Sequence, residues 1–178
     1  MRVQLFGVVA ILTATLGVPA AAQQVTKENV AGVTNFLRLE TTVACAGATK
    51  AEALPELKKM GFASVINLRL ANEPDANVDA EAATAKTVGI RFYHIPFSGQ
   101  MPDPAVADRF LDAITTKGNE PAFIHCAGGN RAAAMWMIKR LVVDHWDVEK
   151  ASAEAASLGM TSPALKQFAV DYAKTHKR

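Results

Sequence analysis

The stretch that most constrains this chain is residues 131–143, helical in character and apolar almost all the way round: Ala132, Ala133, Ala134, Met135, Trp136, Met137, Ile138, Leu141 and Val142, broken only by Lys139 and Arg140. A helix with no polar face belongs inside a soluble molecule, so other elements must cover it on several sides. Just before it, residues 121–125 (Pro-Ala-Phe-Ile-His) read as a strand, and a glycine loop joins the two. Further strands are predicted at 63–68, a short β-branched run after Gly61, and at 90–95, closed by Pro96. Between them lie predicted helices: 79–88, alanine-rich and ended by Gly89, and one opened by Pro104 with Val106, Phe110, Leu111 and Ile114 at core spacing. Two more follow at 148–158 and 163–175. Residues 49–52 have capping-box spacing ahead of Leu54, Leu57 and Met60, and Pro55 means that this helix is kinked or begins near Leu54. Residues 36–43 alternate loosely, as an edge strand does, and 23–35 are a polar lead-in. Strands separated by helices imply a single α/β domain with a central, mainly parallel sheet and helices on both faces.

Charge narrows the function. Nineteen basic against 17 acidic residues, a net +2 over 178, leave no broad basic face for nucleic acid or an anionic membrane surface. Arg2, the apolar run 5–18 and the small residues Pro19, Ala20, Ala21 and Ala22 follow the order of a signal peptide. That run is shorter than the roughly 18 residues a membrane span needs. Residues 1–22 are therefore read as a cleaved leader, 36–178 as the folded domain, and the protein as periplasmic without a stable membrane anchor. Cys45 and Cys126 then sit where disulfides persist. The four histidines, His94, His125, His145 and His176, show no ligand spacing, and Gly128-Gly129 lacks a nucleotide fingerprint, so neither metal nor cofactor is expected.

In open parallel sheets, ligands bind beyond the carboxyl ends of strands. At such a point the chain carries His125-Cys126-Ala127-Gly128-Gly129-Asn130-Arg131. Adjacent glycines let the backbone N–H groups of residues 127–130 turn inward while the next helix aims its N-terminus at the same space, which makes an anion site. Such surroundings lower a cysteine pKa, and Arg131 can fork two donors onto a tetrahedral anion. The alternative is a small buried thiol beside a tight turn. His125 reads as a packed residue that orients the loop, with a general base as the other reading.

This loop resembles the signature loop of the cysteine-dependent protein tyrosine and dual-specificity phosphatase superfamily. With residues 61–69 (Gly-Phe-Ala-Ser-Val-Ile-Asn-Leu-Arg), Glu73 and 93–96 (Tyr-His-Ile-Pro), the chain is similar to the bacterial branch called beta-lactamase-hydrolase-like phosphatase-like, over roughly 35–159. The resemblance implies a Cys126 nucleophile, a small anionic or phosphorylated substrate held by loop amides and Arg131, and a covalent cysteinyl intermediate.

The sequence departs from that pattern in several places. Four residues, not five, separate Cys126 from Arg131, a cradle of rhodanese size, and Ala132 stands where a hydroxyl residue usually assists the departing thiolate. Ser98-Gly99 offers no acid at the usual position, which leaves Asp103 as general acid or, equally, as the N-cap before Pro104. Three functions follow: a phosphatase-like hydrolase, a sulfurtransferase working through a Cys126 persulfide, and an anion-binding module without turnover. The resemblance also puts Cys45, in the loop 44–49, beside the signature loop, either as a resolving partner for Cys126 or as an unpaired buried thiol. Arg69 and Glu73 read as a pair bracing a loop, with direct substrate contact as the alternative.

Overall fold

The computed structural model describes residues 24–176, and the leader read at 1–22 lies outside them. Its strands are β1 (Val25–Lys27), β2 (Leu37–Leu39), β3 (Val43–Ala46), β4 (Ser64–Asn67), β5 (Arg91–His94) and β6 (Ala122–His125). They form one sheet in the order β1-β2-β3-β6-β4-β5, with β3, β6, β4 and β5 parallel and β1 and β2 antiparallel at one edge.

The mainly parallel α/β domain is as expected, but its amino-terminal part is not. Residues 36–43 are no single edge strand: β2 and β3 form a hairpin that turns near Glu40, a residue with φ of 45°. The polar lead-in supplies β1, paired to β2 at the sheet edge. A three-residue edge strand open to water needs no apolar alternation, which is why its sequence gave no signal.

The helices are α1 (Leu54–Lys59), α2 (Val78–Val88), α3 (Pro104–Thr115), α4 (Asn130–Val142), α5 (Val148–Ser157) and α6 (Pro163–Thr175). A 3-10 turn precedes α1, which begins at Leu54 with Pro55 in its first turn, where the missing N–H needs no partner. Side chains of Asn77, Asp103, Asp147 and Ser162 cap α2, α3, α5 and α6, each satisfying an orphan amide.

Alternation along the strands sends Val43, Cys45, Ile66 and Ile124 to one face, under α3 to α6, and Ala44, Ala46, Val65 and Phe123 to the other, under α1 and α2. Helix α4 lies against β3, β6 and the three helices α3, α5 and α6. It is buried from Ala132 through Val142, Lys139 and Arg140 included. The Arg140 guanidinium is stacked between Trp136 and Trp146 at 4.6 and 4.2 Å and bonded to Glu154 and Asp144 at 2.6 and 2.9 Å. The two interruptions of the apolar helix are thus part of a buried ion network rather than a polar face. On the opposite side of the sheet Phe36, Phe62 and Phe123 pack with ring centroids 5.8 to 6.1 Å apart and hold β6 against α1.

Candidate active site

Strands β4 and β6 end side by side, with Asn67 in register with His125. Cys126 follows, and its Sγ accepts a hydrogen bond from the Gly129 amide at 3.1 Å. Gly129 N-caps α4 with φ of 107°, a conformation that side chains on an L-residue disfavour. The loop is held from the β3 side: Ala48 N donates to Ala127 O at 2.8 Å and Asn35 Nδ2 to Gly128 O at 3.2 Å. In a trans peptide the N–H points opposite to the C=O. Pulling those two carbonyls outward therefore aims the amides of Gly128 and Gly129 inward. The close approach also explains Gly47, where a Cβ would stand 2.9 Å from Ala127 O. Cys126 is 1% exposed, whereas Ala127 and Gly128 are open to solvent. A cleft of about 300 Å³ beside the loop is lined by Lys27, Asn35, Gly128, Gly129, Asn130 and Thr161 among others.

Arg131, in the first turn of α4, is fastened rather than loose. Its Nη1 and Nη2 donate to Glu73 Oε1 and Oε2 at 2.6 and 2.8 Å, and Nη1 also donates to Phe97 O at 2.9 Å. The Arg131 bond, helped by the Leu70 amide, the Arg131 charge and Arg69 against the effect of burial, pulls the Glu73 carboxyl from 4.5 to about 2. For Arg131, burial works downward, but the bond to Glu73 and the charges of Cys126 and Glu73 outweigh it and raise its pKa. Arg69 braces the same loop through Glu73 Oε2 at 3.4 Å, Asp75 O at 3.2 Å and Pro74 O. Glu73 is thus shared by two arginines. Its link to Arg131, 58 residues away, was invisible in the sequence, where Glu73 reads only as a partner of Arg69.

The Asn130 side chain turns away from the loop, its Oδ1 accepting from Thr161 N and Ser162 N at 2.6 and 2.9 Å to hold the start of α6; only its backbone remains with the loop. Asp103 is exposed and caps α3, Oδ1 accepting from Ala105 N at 2.9 Å. His125 is buried with Nε2 3.0 Å from Glu81 Oε2, a partner no sequence signal named. Cys45 lies in β3 rather than in a loop, because residues 43–46 pair with both β2 and β6. Its register partner is Ile124, two residues before Cys126, so the two cysteines share a face of the sheet. Burial, then the charges of Cys126 and Glu154, push the Cys45 thiol well above its ordinary pKa. Both cysteines are free.

Among the described residues no group of three or more His, Cys, Asp or Glu could hold a metal ion, and no helix is long and apolar enough to cross a membrane.

Residues 20–171 match the family described as DSP-PTPase phosphatase fused to NAD+ kinase. The chain belongs to that family. The loop 126–131 and Glu73 both fall within the matched residues. The chain is 29% identical over 107 residues to the beta-lactamase hydrolase-like protein of Agrobacterium fabrum, a match covering 57% of this chain and 24% of that protein. It thus spans about a quarter of the length of the curated relatives it matches. Among solved structures, a DUF442 protein of Shewanella putrefaciens superposes with a TM-score of 0.68 at 19% identity, covering 83% of this chain and 96% of that one. P. aeruginosa TpbA superposes with a TM-score of 0.63 at 19% identity, covering 88% and 92%, and a variant of TpbA was solved in complex with phosphotyrosine. At these identities the structures establish a shared fold.

Proposed function

We propose that the protein is a cysteine-dependent phosphatase-like hydrolase acting on a small anionic or phosphorylated substrate. The observation that carries this reading is the fastening of Arg131 along one edge by Glu73 beside the Gly129–Cys126 contact. A guanidinium has five N–H groups in a rigid fork. Glu73 and Phe97 occupy the Nη1 pair and one hydrogen of Nη2. The edge formed by Nε and the second Nη2 hydrogen is then offered to two oxygens of an anion.

In the reaction, Cys126 Sγ attacks phosphorus, forming the S–P bond as the P–O bond to the leaving group breaks; water then attacks phosphorus and the S–P bond breaks. Charge growing on the phosphoryl oxygens is met by the Gly128 amide and the Arg131 edge. Glu73, ionised down to about pH 2, anchors Arg131 and donates no proton at neutral pH. Asp103 is the proton donor in this reading. Asp103→Asn separates that role from capping, because asparagine caps as well as aspartate but has no carboxyl proton; an unchanged rate removes Asp103 from the mechanism. Ala132 offers no hydroxyl to the departing thiolate, so an initial burst of product ahead of a slower steady rate is expected.

TpbA's complex with phosphotyrosine makes an aryl phosphate the first substrate to try. Hydrolysis of p-nitrophenyl phosphate by the full chain is expected, with loss in Cys126→Ser; hydrolysis persisting in that variant ends the thiolate mechanism. The four-residue spacing from Cys126 to Arg131 favours a second reading, sulfur transfer. There thiosulfate gives its sulfane sulfur to Cys126 and leaves as sulfite, and cyanide removes that sulfur as thiocyanate. Thiocyanate without phosphate release selects that reading. Thermal stabilisation by phosphate with neither product selects an anion-binding module. Residues 1–22 support export, and recovery from the periplasm of a chain beginning at Gln23 is the corresponding test.

A further inference from the structure

We propose that Glu81 is a positioning residue for the Cys126 site, a buried carboxylate on α2 that ties together the end of β6, which leads to Cys126, and the end of β4, which leads to the segment clasping Arg131. The proposal rests on the Cys126-dependent reading above. Glu81 is 1% exposed, on the face of the sheet opposite α4. Its Oε2 stands 3.0 Å from His125 Nε2 and accepts from Asn67 Nδ2 at 3.1 Å. His125 ends β6 and precedes Cys126 in the chain. Asn67 ends β4, and its Oδ1 accepts from the Arg69 amide at 2.8 Å, where the segment carrying Glu73 begins. One oxygen therefore fixes both the strand that presents the sulfur and the strand that launches the clasp on Arg131.

Stability alone is a poor account of this residue. Burying a carboxylate carries a desolvation penalty, and only Oε2 is bonded here: Glu81 Oε1 and His125 Nδ1 have no hydrogen-bond partner among the described residues. The surrounding layer of Val65, Ala85, Phe92 and Phe123 is apolar, so a hydrophobic side chain at 81 would suit the core better. What the carboxylate supplies is one oxygen in fixed geometry shared by His125 and Asn67 on adjacent strands.

Glu81→Leu has similar volume and no acceptor, whereas Glu81→Gln keeps an oxygen in the same place. At metal sites, removing an outer group that orients a ligand typically costs about 10- to 100-fold, and a loss of that order is the expectation for a group that orients the cysteine loop. Glu81→Leu is accordingly expected to slow iodoacetamide alkylation of Cys126 at least about tenfold, counted per folded molecule, and to lower kcat in parallel. Glu81→Gln is expected to recover most of both. A Leu variant that melts earlier yet alkylates at the wild-type rate overturns the proposal, and so does a Gln variant as slow as Leu. Should Glu81→Leu not fold, Asn67→Ala carries the test. It frees the Arg69 segment alone and is expected to raise KM while leaving alkylation of Cys126 unchanged; an unchanged KM overturns the proposal. Alkylation needs no turnover, so absent hydrolysis in the wild type would sink the proposed function without touching this result.

Discussion

Helix α4 carries a carboxylate-bound arginine near each end, and the two are bound in different ways. At the amino end, Arg131 is fastened by Glu73 along one edge and interacts with Cys126. At the carboxyl end, Arg140 is bonded to Glu154 and Asp144 and covered on its faces by two indoles. For both guanidiniums burial works downward and carboxylate bonds more than compensate, so both pKa values rise. Chemistry of the pair therefore does not distinguish them. Enclosure does: an arginine bound along one edge is oriented and still has donors for an anion, while one sandwiched between rings serves packing and helix–helix cohesion.

The largest effect expected from this contrast is in Arg131→Ala. Losing a donor aimed at developing charge costs about 100- to 1,000-fold in kcat, and phosphate should cease to raise the melting temperature. Arg140→Met should leave kcat per folded molecule unchanged and cost about 3–5 kcal/mol in urea unfolding, because Glu154 and Asp144 lose a buried partner. Equal loss of activity in both variants would erase the distinction. Next in size is pH dependence. Glu73 has a folded pKa near 2 against an ordinary 4.5, so its contribution is present above 4.5 and is lost as pH falls toward 2. Glu73→Gln should lack that part of the acid destabilisation; identical acid melts for the two proteins would place the Glu73 clasp outside the stability of the fold. The smallest effect concerns Cys45→Ser, expected to keep near wild-type turnover. Buried and with its pKa raised, Cys45 is expected not to close a sulfenic acid formed at Cys126 under hydrogen peroxide, since the thiolate is the attacking species; a dithiothreitol-reversible loss of two hydrogens would instead make it the resolving partner.

Elements with local punctuation were readable in advance. Pro163 and the spacing behind it gave α6 its observed limits, and Gly89 ended α2 as expected, with φ of 68°. The cysteine–glycine–arginine loop was readable because its parts are consecutive. The short strand β1 and the hairpin were not, since edge pairing imposes little on side-chain type. Glu81 left a faint trace: it shares a helix stripe with Ala85, four residues on, so a carboxylate stood on a face meant for the core.

The sequence by itself determined the layered α/β class, the buried α4 and the cysteine–glycine–arginine loop, because alternation, capping and helical period act over a few neighbouring residues. Only the tertiary structure decided that Glu73 clasps Arg131 across 58 residues, that Glu81 reaches His125 across 44, and that Asn130 turns to α6 instead of the loop. The first two pairings follow from the strand order β3-β6-β4, which sets β6 between strands from much earlier in the chain, and no local rule encodes which strands will meet.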